Sequence, residues 1–147
     1  MDFVPIQERL EDNTEFLDQP DCRESLEMSV TYFYKVGYLP PWIGYYVRAD
    51  NQYVGAAGFK GRPRNGKVEI AYSTFPAHQN KGIGTAICRQ LVMLAMETDP
   101  AVIITARTLP EESFSTKILQ KNSFSRIGTV MDEDDGDVWE WAYQEIY

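Results

Sequence analysis

Apolar positions along the chain alternate between two spacings, and each change of spacing marks a change of element. Phe3-Val4-Pro5-Ile6 reads as a short strand, and Pro5 confines it to a sheet edge. Asp18 or Asp21 is placed to cap a helix running to about residue 36, with Leu26, Val30, Phe33 and Tyr34 on its apolar face. Gly37 and Pro40-Pro41 end it. Three strand-like runs follow: Ile43 to Val47, Tyr53 to Phe59 and Val68 to Phe75. The turns Ala49-Asp50-Asn51-Gln52 and Gly61 to Gly66 join them as an antiparallel meander. The spacing then lengthens, and Ile83, Ala86, Ile87, Leu91, Leu94 and Ala95 form one helical stripe, broken by Asp99-Pro100. Ala101-Val102-Ile103-Ile104-Thr105 is a continuous apolar run, the pattern of a strand buried on both faces. Pro110 suits the first turn of another helix, with Glu111 and Glu112 at its positive end and Phe114, Ile118 and Leu119 on its apolar side. Phe124 to Val130 and Val138 to Tyr143 are two last strands, joined at Asp135-Gly136.

The order β-α-β-β-β-α-β-α-β-β predicts an α/β (α+β) fold. It has a mixed, mostly antiparallel sheet of six or seven strands with flanking helices, and one parallel pair made by the strand–helix–strand crossover. The 147 residues fit one domain, residues 1–147, large enough to fold without a disulfide or metal. Cys22 and Cys88 match no metal or redox spacing. The N-terminus lacks the basic start and apolar core of a signal peptide, and no run approaches the roughly 18 apolar residues of a membrane span. These features predict a cytoplasmic protein with free thiols and no membrane partner.

The net charge of −8 argues against nucleic acid as a partner. It is unevenly spread: −7 over residues 1–30, +6 over 31–130 and −7 over 131–147. A basic centre between acidic ends hints at partners of both signs, with a chance pattern on a solvated surface the alternative.

The chemistry concentrates in Val68 to Ala86, where a strand runs into a glycine-containing turn that opens a helix. The first N–H groups of a helix have no internal acceptor, and the dipole makes that end positive, so such a turn suits phosphates. A Walker loop is absent, and a Rossmann fingerprint fails because Ile87 stands where its third small residue should be. Gln79-Asn80-Lys81-Gly82-Ile83-Gly84, however, matches [RQ]-x-x-G-x-[GA]. With Val68-Glu69-Ile70-Ala71-Tyr72 before it and Pro110 to Phe124 after it, the chain resembles the GNAT superfamily of acetyl-CoA-dependent N-acetyltransferases over residues 43–130. The later segment is similar to P-E-N-x-x-S-x-x-x-L-x-K-x-G-F, a pattern of the branch containing the ribosomal-protein N-terminal acetyltransferases.

The resemblance implies acetyl-CoA as cosubstrate and a fourth and fifth strand, parallel, that splay apart. It implies that the coenzyme pyrophosphate sits on the amides of Asn80, Lys81, Gly82, Ile83, Gly84 and Thr85, following Gln79, and that Tyr72, Ser73 and Thr74 pair with the pantetheine arm through their backbone. A backbone N–H near Tyr72 would hold the oxyanion, Glu69 would accept the amine proton through water, and Ser115 would lie near the sulfur. Three positions depart from the pattern: Glu112 stands for the asparagine that contacts the cofactor, Ser123 for glycine, and Leu119 for the tyrosine that often serves as acid.

The acceptor expected is a primary amine, either a small cationic amine or a protein N-terminus, and a homodimer is left open. A coenzyme A binder without catalysis and a nucleotide-binding module are the alternatives. His78 reads as an exposed loop residue and Cys88 as helix packing. Pro40-Pro41-Trp42, Tyr45 and Tyr46 are candidates to line the amine pocket, with core packing the alternative. The run Asp132 to Asp137 lacks calcium-loop spacing and reads as a hairpin tip, solvated or beside the acceptor groove.

Overall fold

The structure, a computed structural model, describes residues 1–144. Its seven strands are β1 (Asp2–Pro5), β2 (Gly44–Ala49), β3 (Gln52–Phe59), β4 (Lys67–Thr74), β5 (Ile103–Thr108), β6 (Phe124–Asp132) and β7 (Gly136–Tyr143). They form one sheet in the spatial order β1-β2-β3-β4-β5-β7-β6. Three helices connect them: α1 (Pro20–Val36), α2 (Ile83–Thr98) and α3 (Phe114–Lys121). The element order is the one expected from the sequence, and among the described residues β4–β5 is the one parallel pairing. No helix among the described residues is long and apolar enough to cross a membrane.

The sheet has a helix on each face. Tyr46 on β2 carries its hydroxyl to the Cys22 carbonyl of α1 at 2.7 Å, and Cys22, Leu26, Val30 and Phe33 bury the inner stripe of that helix. On the opposite face Ile87, Cys88, Leu91 and Ala95 of α2 are wholly buried against β3 and β4. Gly55 makes this packing feasible. A Cβ there would lie 2.4 Å from the Ser73 carbonyl oxygen, so a side chain would force β4 away from β3.

Six local expectations give way to specific competitors. α1 has Gln19 at its N-cap and Pro20 in its first turn, so neither Asp18 nor Asp21 caps it, and Tyr34 lies outside the buried stripe, 83% exposed. β5 begins at Ile103 because the turn closing α2 consumes the two residues before it. Val102 N–H donates to the Asp99 carbonyl at 3.1 Å, and Ala101 N–H donates to Asp99 Oδ1 at 3.2 Å. Ile103 itself is 48% exposed, so this strand is not buried on both faces throughout. α3 begins four residues after Pro110, because Ser113 and Thr116 form a reciprocal capping box. Phe114 therefore falls in the first turn, 73% exposed rather than in the core.

The connection from α3 to β6 passes through Ser123 at φ 67°, the left-handed conformation that glycine adopts without strain. The turn thus keeps the shape that glycine would give it, at the expense of a strained serine. Ser123→Gly should stabilise the fold by about 1 kcal/mol and raise the melting temperature by roughly 2–6 °C. A thermal melt of the variant beside the parent checks this.

Candidate active site

The site is built on the place where β4 parts from β5. Their pairing runs through Lys67–Ile103, Val68–Ile104 and Glu69–Thr105, and Thr105 Oγ1 donates to the Val68 carbonyl at 3.3 Å. Beyond Glu69, β4 pairs only with β3. Lys60 N–H donates to the Glu69 carbonyl and Phe75 N–H to the Val54 carbonyl, each at 2.8 Å. That alternation sends the backbone groups of Glu69, Ala71, Ser73 and Phe75 toward β3. Those of Tyr72 and Thr74 face the opening wedge instead. The Thr74 carbonyl takes a hydrogen bond from Gln79 Nε2 at 3.2 Å, which fixes the strand to the turn that follows.

One cleft, about 660 Å³, lies on the α2 side of this wedge. Its walls include Tyr72, Ser73 and Thr74 of β4, the turn residues Gln79, Asn80 and Gly82, and Ile83, Gly84 and Thr85 of α2. Gly82 caps α2 at φ 77° and Asn80 stands at φ 64°, so the chain coils tightly ahead of the helix. No side chain caps α2, and its first amides stay open for an anion. Gly84 faces Thr74 and Ile118 so closely that a Cβ would lie 3.2 Å from Thr74 Oγ1 and 2.8 Å from Ile118 Cδ1.

The far wall comes from α3, with Phe114, Ser115, Lys117, Ile118 and Lys121. Asn122 Nδ2 joins the two helices, donating to the Thr85 carbonyl at 3.1 Å and the Ile118 carbonyl at 3.0 Å. Ten of the sequence-predicted site residues thus meet in this cleft, Ser115 among them. Two do not line it. The Lys81 side chain is exposed on the turn, and Glu112 is turned to Thr116, whose hydroxyl donates to Glu112 Oε2 at 3.2 Å. His78, half-buried in a short helical turn, and Phe114 line the cleft, although the sequence reading gave neither a place there.

A second cleft, about 1050 Å³, lies on the α1 side, and the two share Tyr72 and Ser73. Glu69 sits on its floor with a side chain 19% exposed. The Lys60 ammonium packs against its Oε2, and Arg107 Nε lies 3.7 Å from its Oε1. Arg107 also reaches Asp132 Oδ2 at 3.1 Å and Glu140 Oε2 at 3.6 Å. The Lys60 contact is an ion pair out of line for a hydrogen bond, so Glu69 Oε2 is buried with no hydrogen-bond partner. Of the aromatic candidates Tyr45 lines this cleft, whereas Trp42 packs edge-on to Phe59 and Tyr46 is wholly buried under α1. Burial pushes the Tyr72 phenol well above its ordinary range and the Cys88 thiol beside it up to about 12, so both stay protonated at neutral pH.

With this geometry in hand, comparison with known proteins is decisive on family. The profile of the acetyltransferase (GNAT) domain matches residues 3–125. The chain belongs to the GNAT acetyltransferase family. It is 31% identical over 99 residues to the uncharacterized N-acetyltransferase YjdG of Bacillus subtilis, a match covering 66% of this chain and 56% of that protein. The chain therefore spans little more than half the length of that curated relative. Among solved structures it superposes on aminoglycoside acetyltransferase AAC(6')-Ib in complex with coenzyme A and kanamycin. The TM-score is 0.67 at 21% identity, covering 95% of this chain and 92% of the other. It also superposes on the ribosomal L7/L12 alpha-N-protein acetyltransferase RimL in complex with coenzyme A. Here the TM-score is 0.63 at 18% identity, covering 84% and 71% of the two chains. These likenesses fix the GNAT fold, with its parallel β4/β5 splay.

The acidic hairpin tip flanks the second cleft, but part of its charge is already engaged. Asp132 holds Arg107 and accepts the N–H groups of Asp134 at 2.9 Å and Asp135 at 3.2 Å, and Glu133 pairs with Lys35 of α1 at 3.5 Å. The hydrogen bond from the Asp134 N–H, and then that from Arg107, hold the Asp132 carboxyl below its ordinary value of 3.8. A carboxyl depressed in the folded state stabilises the fold above its unfolded pKa, and that contribution is lost as pH falls through the folded value. Asp132→Asn should accordingly melt lower than the parent at pH 7, and the gap should narrow as the pH falls below 3.8. Melting curves across that range check the sign.

Proposed function

We propose that this chain transfers the acetyl group of acetyl-CoA to a primary amine by direct attack on the thioester. The observation that carries the reading is the meeting of the two clefts at Tyr72 and Ser73, where β4 has left β5. A cosubstrate lying in one cleft and an acceptor in the other would come together only there.

In this reading the amides of Asn80 to Thr85 hold the pyrophosphate, with Lys117 and Lys121 adding positive charge across the cleft. The free edge of β4 at Tyr72 and Thr74 pairs with the pantetheine arm as an added strand would. The Tyr72 N–H, aimed into the wedge, donates to the oxyanion as the amine adds, a contact worth roughly 3–4 kcal/mol in comparable sites. Glu69, on the floor of the α1-side cleft beside Lys60 and Arg107, takes the proton of the attacking amine through water. Ser115, on the cofactor cleft, is placed to meet the sulfur. A thiol of pKa ~8.5 leaves without a strong acid, which suits a site whose α3 carries Leu119 in place of tyrosine. Glu112 takes no part in this reading, because Thr116 engages it. The chain acts as a cytoplasmic enzyme, and its acceptor is an amine that arrives as a cation.

The test is thiol release from acetyl-CoA over a panel of amines and N-terminal peptides. Turnover with at least one amine is expected. Glu69→Gln should lower kcat by about 10²-fold or more while leaving the KM for acetyl-CoA within twofold. Coenzyme binding with no thiol release across the panel would favour a non-catalytic coenzyme binder, and stabilisation by ATP or NAD alone would overturn both.

A further inference from the structure

The acceptor cleft is electrically polarised along its length. One wall is the face of α1 that carries Asp21, Glu24, Ser25, Met28, Tyr32 and Lys35. Tyr46 bonds Cys22 and Ser25 on this helix, and Tyr46, Ala56 and Ser73 are cross-strand neighbours in register. The Asp21–Glu24 end of α1 therefore stands over Ser73, where the two clefts meet. The Tyr32–Lys35 end stands over the opposite end of the cleft, for Val36, the last residue of α1, packs against Gly61 in the turn that follows β3.

At that opposite end the turn between β3 and β4 contributes Lys60, Arg62, Arg64 and Lys67 to the cleft. Lys60 is spent on Glu69, Lys35 on Glu133, and Arg107 on Glu69, Asp132 and Glu140. Arg62, Arg64 and Lys67 make no ion pair among the described residues, and only Asp134 of the hairpin tip opposes them without a salt bridge of its own. The cleft thus runs from an acidic end at the point of transfer to an end with excess positive charge. The acids suit an ammonium group, and the bases suit an anion on the same molecule.

Length decides what kind of molecule. Lys67 and Tyr72 are five residues apart on one strand, about 16 Å at 3.3 Å per residue. An amino acid places its amine and carboxylate within about 5 Å of each other and cannot reach both ends, whereas an extended peptide covers the span in about five residues. We infer that the acceptor is a peptide or protein N-terminus carrying acidic side chains within roughly residues three to six, read by Arg62, Arg64 and Lys67. This rests on the acetyl-transfer reading of the clefts and names its substrate class.

The experiment is titration calorimetry of the full chain, saturated with coenzyme A, against three hexapeptide amides. They are Ser-Gly-Glu-Asp-Glu-Gly, its Gln-Asn-Gln counterpart and its Lys-Lys-Lys counterpart. The acidic peptide should bind at least tenfold tighter than the neutral one, and the triple variant Arg62→Ala, Arg64→Ala, Lys67→Ala should erase that preference. These side chains are exposed, and an unchanged melting temperature of the variant shows that the loss is one of recognition. Equal binding of all three peptides, tighter binding of the basic one, or a preference that survives the triple variant overturns the inference. Thiol release, measured separately, keeps the two readings apart. Turnover of amines with no acidic preference leaves acetyl transfer standing alone, and acidic preference without thiol release leaves the peptide site standing without the reaction.

Discussion

Beyond Glu69 the β4 backbone loses its partner on the β5 side, and every functional feature of the molecule is arranged around that loss. A sheet interior normally satisfies each N–H and C=O, and leaving a pair unmade is costly unless water or a ligand takes it. Here the flanking structure holds the strands apart. α2 must cross from the end of β4 to the start of β5 and brings the glycine turn to the mouth of the gap, while β7 takes the far edge of β5. Gly55 lets β3 hold β4 closely on its other side, where the strand has only one neighbour. The wedge thereby presents backbone donors and a helix N-terminus in one line.

The electrostatics follow from the same divergence. At the last β4–β5 pair Glu69 lies near Arg107, two residues beyond its partner Thr105, and Lys60, Asp132 and Glu140 complete an ionic cluster around them. Three carboxylates against two cations, partly desolvated, make a cluster that depends on each member, since removing one leaves its partners as uncompensated buried charge. It anchors the β6–β7 hairpin to the floor of the α1-side cleft and orients the Glu69 carboxylate. The hairpin tip thus serves first as a wall, and its acids are only partly available to a substrate.

Much of this was legible in the sequence because it is written locally. The strand–turn–helix with Gly82 and Gly84 needs only neighbouring residues to declare itself, and the alternation between spacings places all seven strands in order. The errors came where a local rule met a stronger one. Ser113 with Thr116 set the start of α3 and displaced Phe114 from the core into the cleft between α2 and α3, and the Asp99 turn took two residues from β5. The ionic cluster was invisible, for its members come from five separate stretches of chain and no spacing links Lys60 to Glu140. Charge counted by segment also misled in part. Of the central bases Lys117 and Lys121 line the α2-side cleft, but Lys60, Arg62, Arg64, Lys67 and Arg107 line the α1-side cleft.

The most direct test of the wedge as the coenzyme seat is amide hydrogen exchange with and without coenzyme A. The amides of Tyr72 and Thr74 and those of residues 80–85 should exchange markedly more slowly in its presence, because they would be the groups that pair with it. Amides at the far edge, in β1 and β2, should be unchanged. Protection absent from Tyr72 and the glycine turn, or confined to other strands while coenzyme A is bound, would contradict the claim that the parting of β4 from β5 is what holds it.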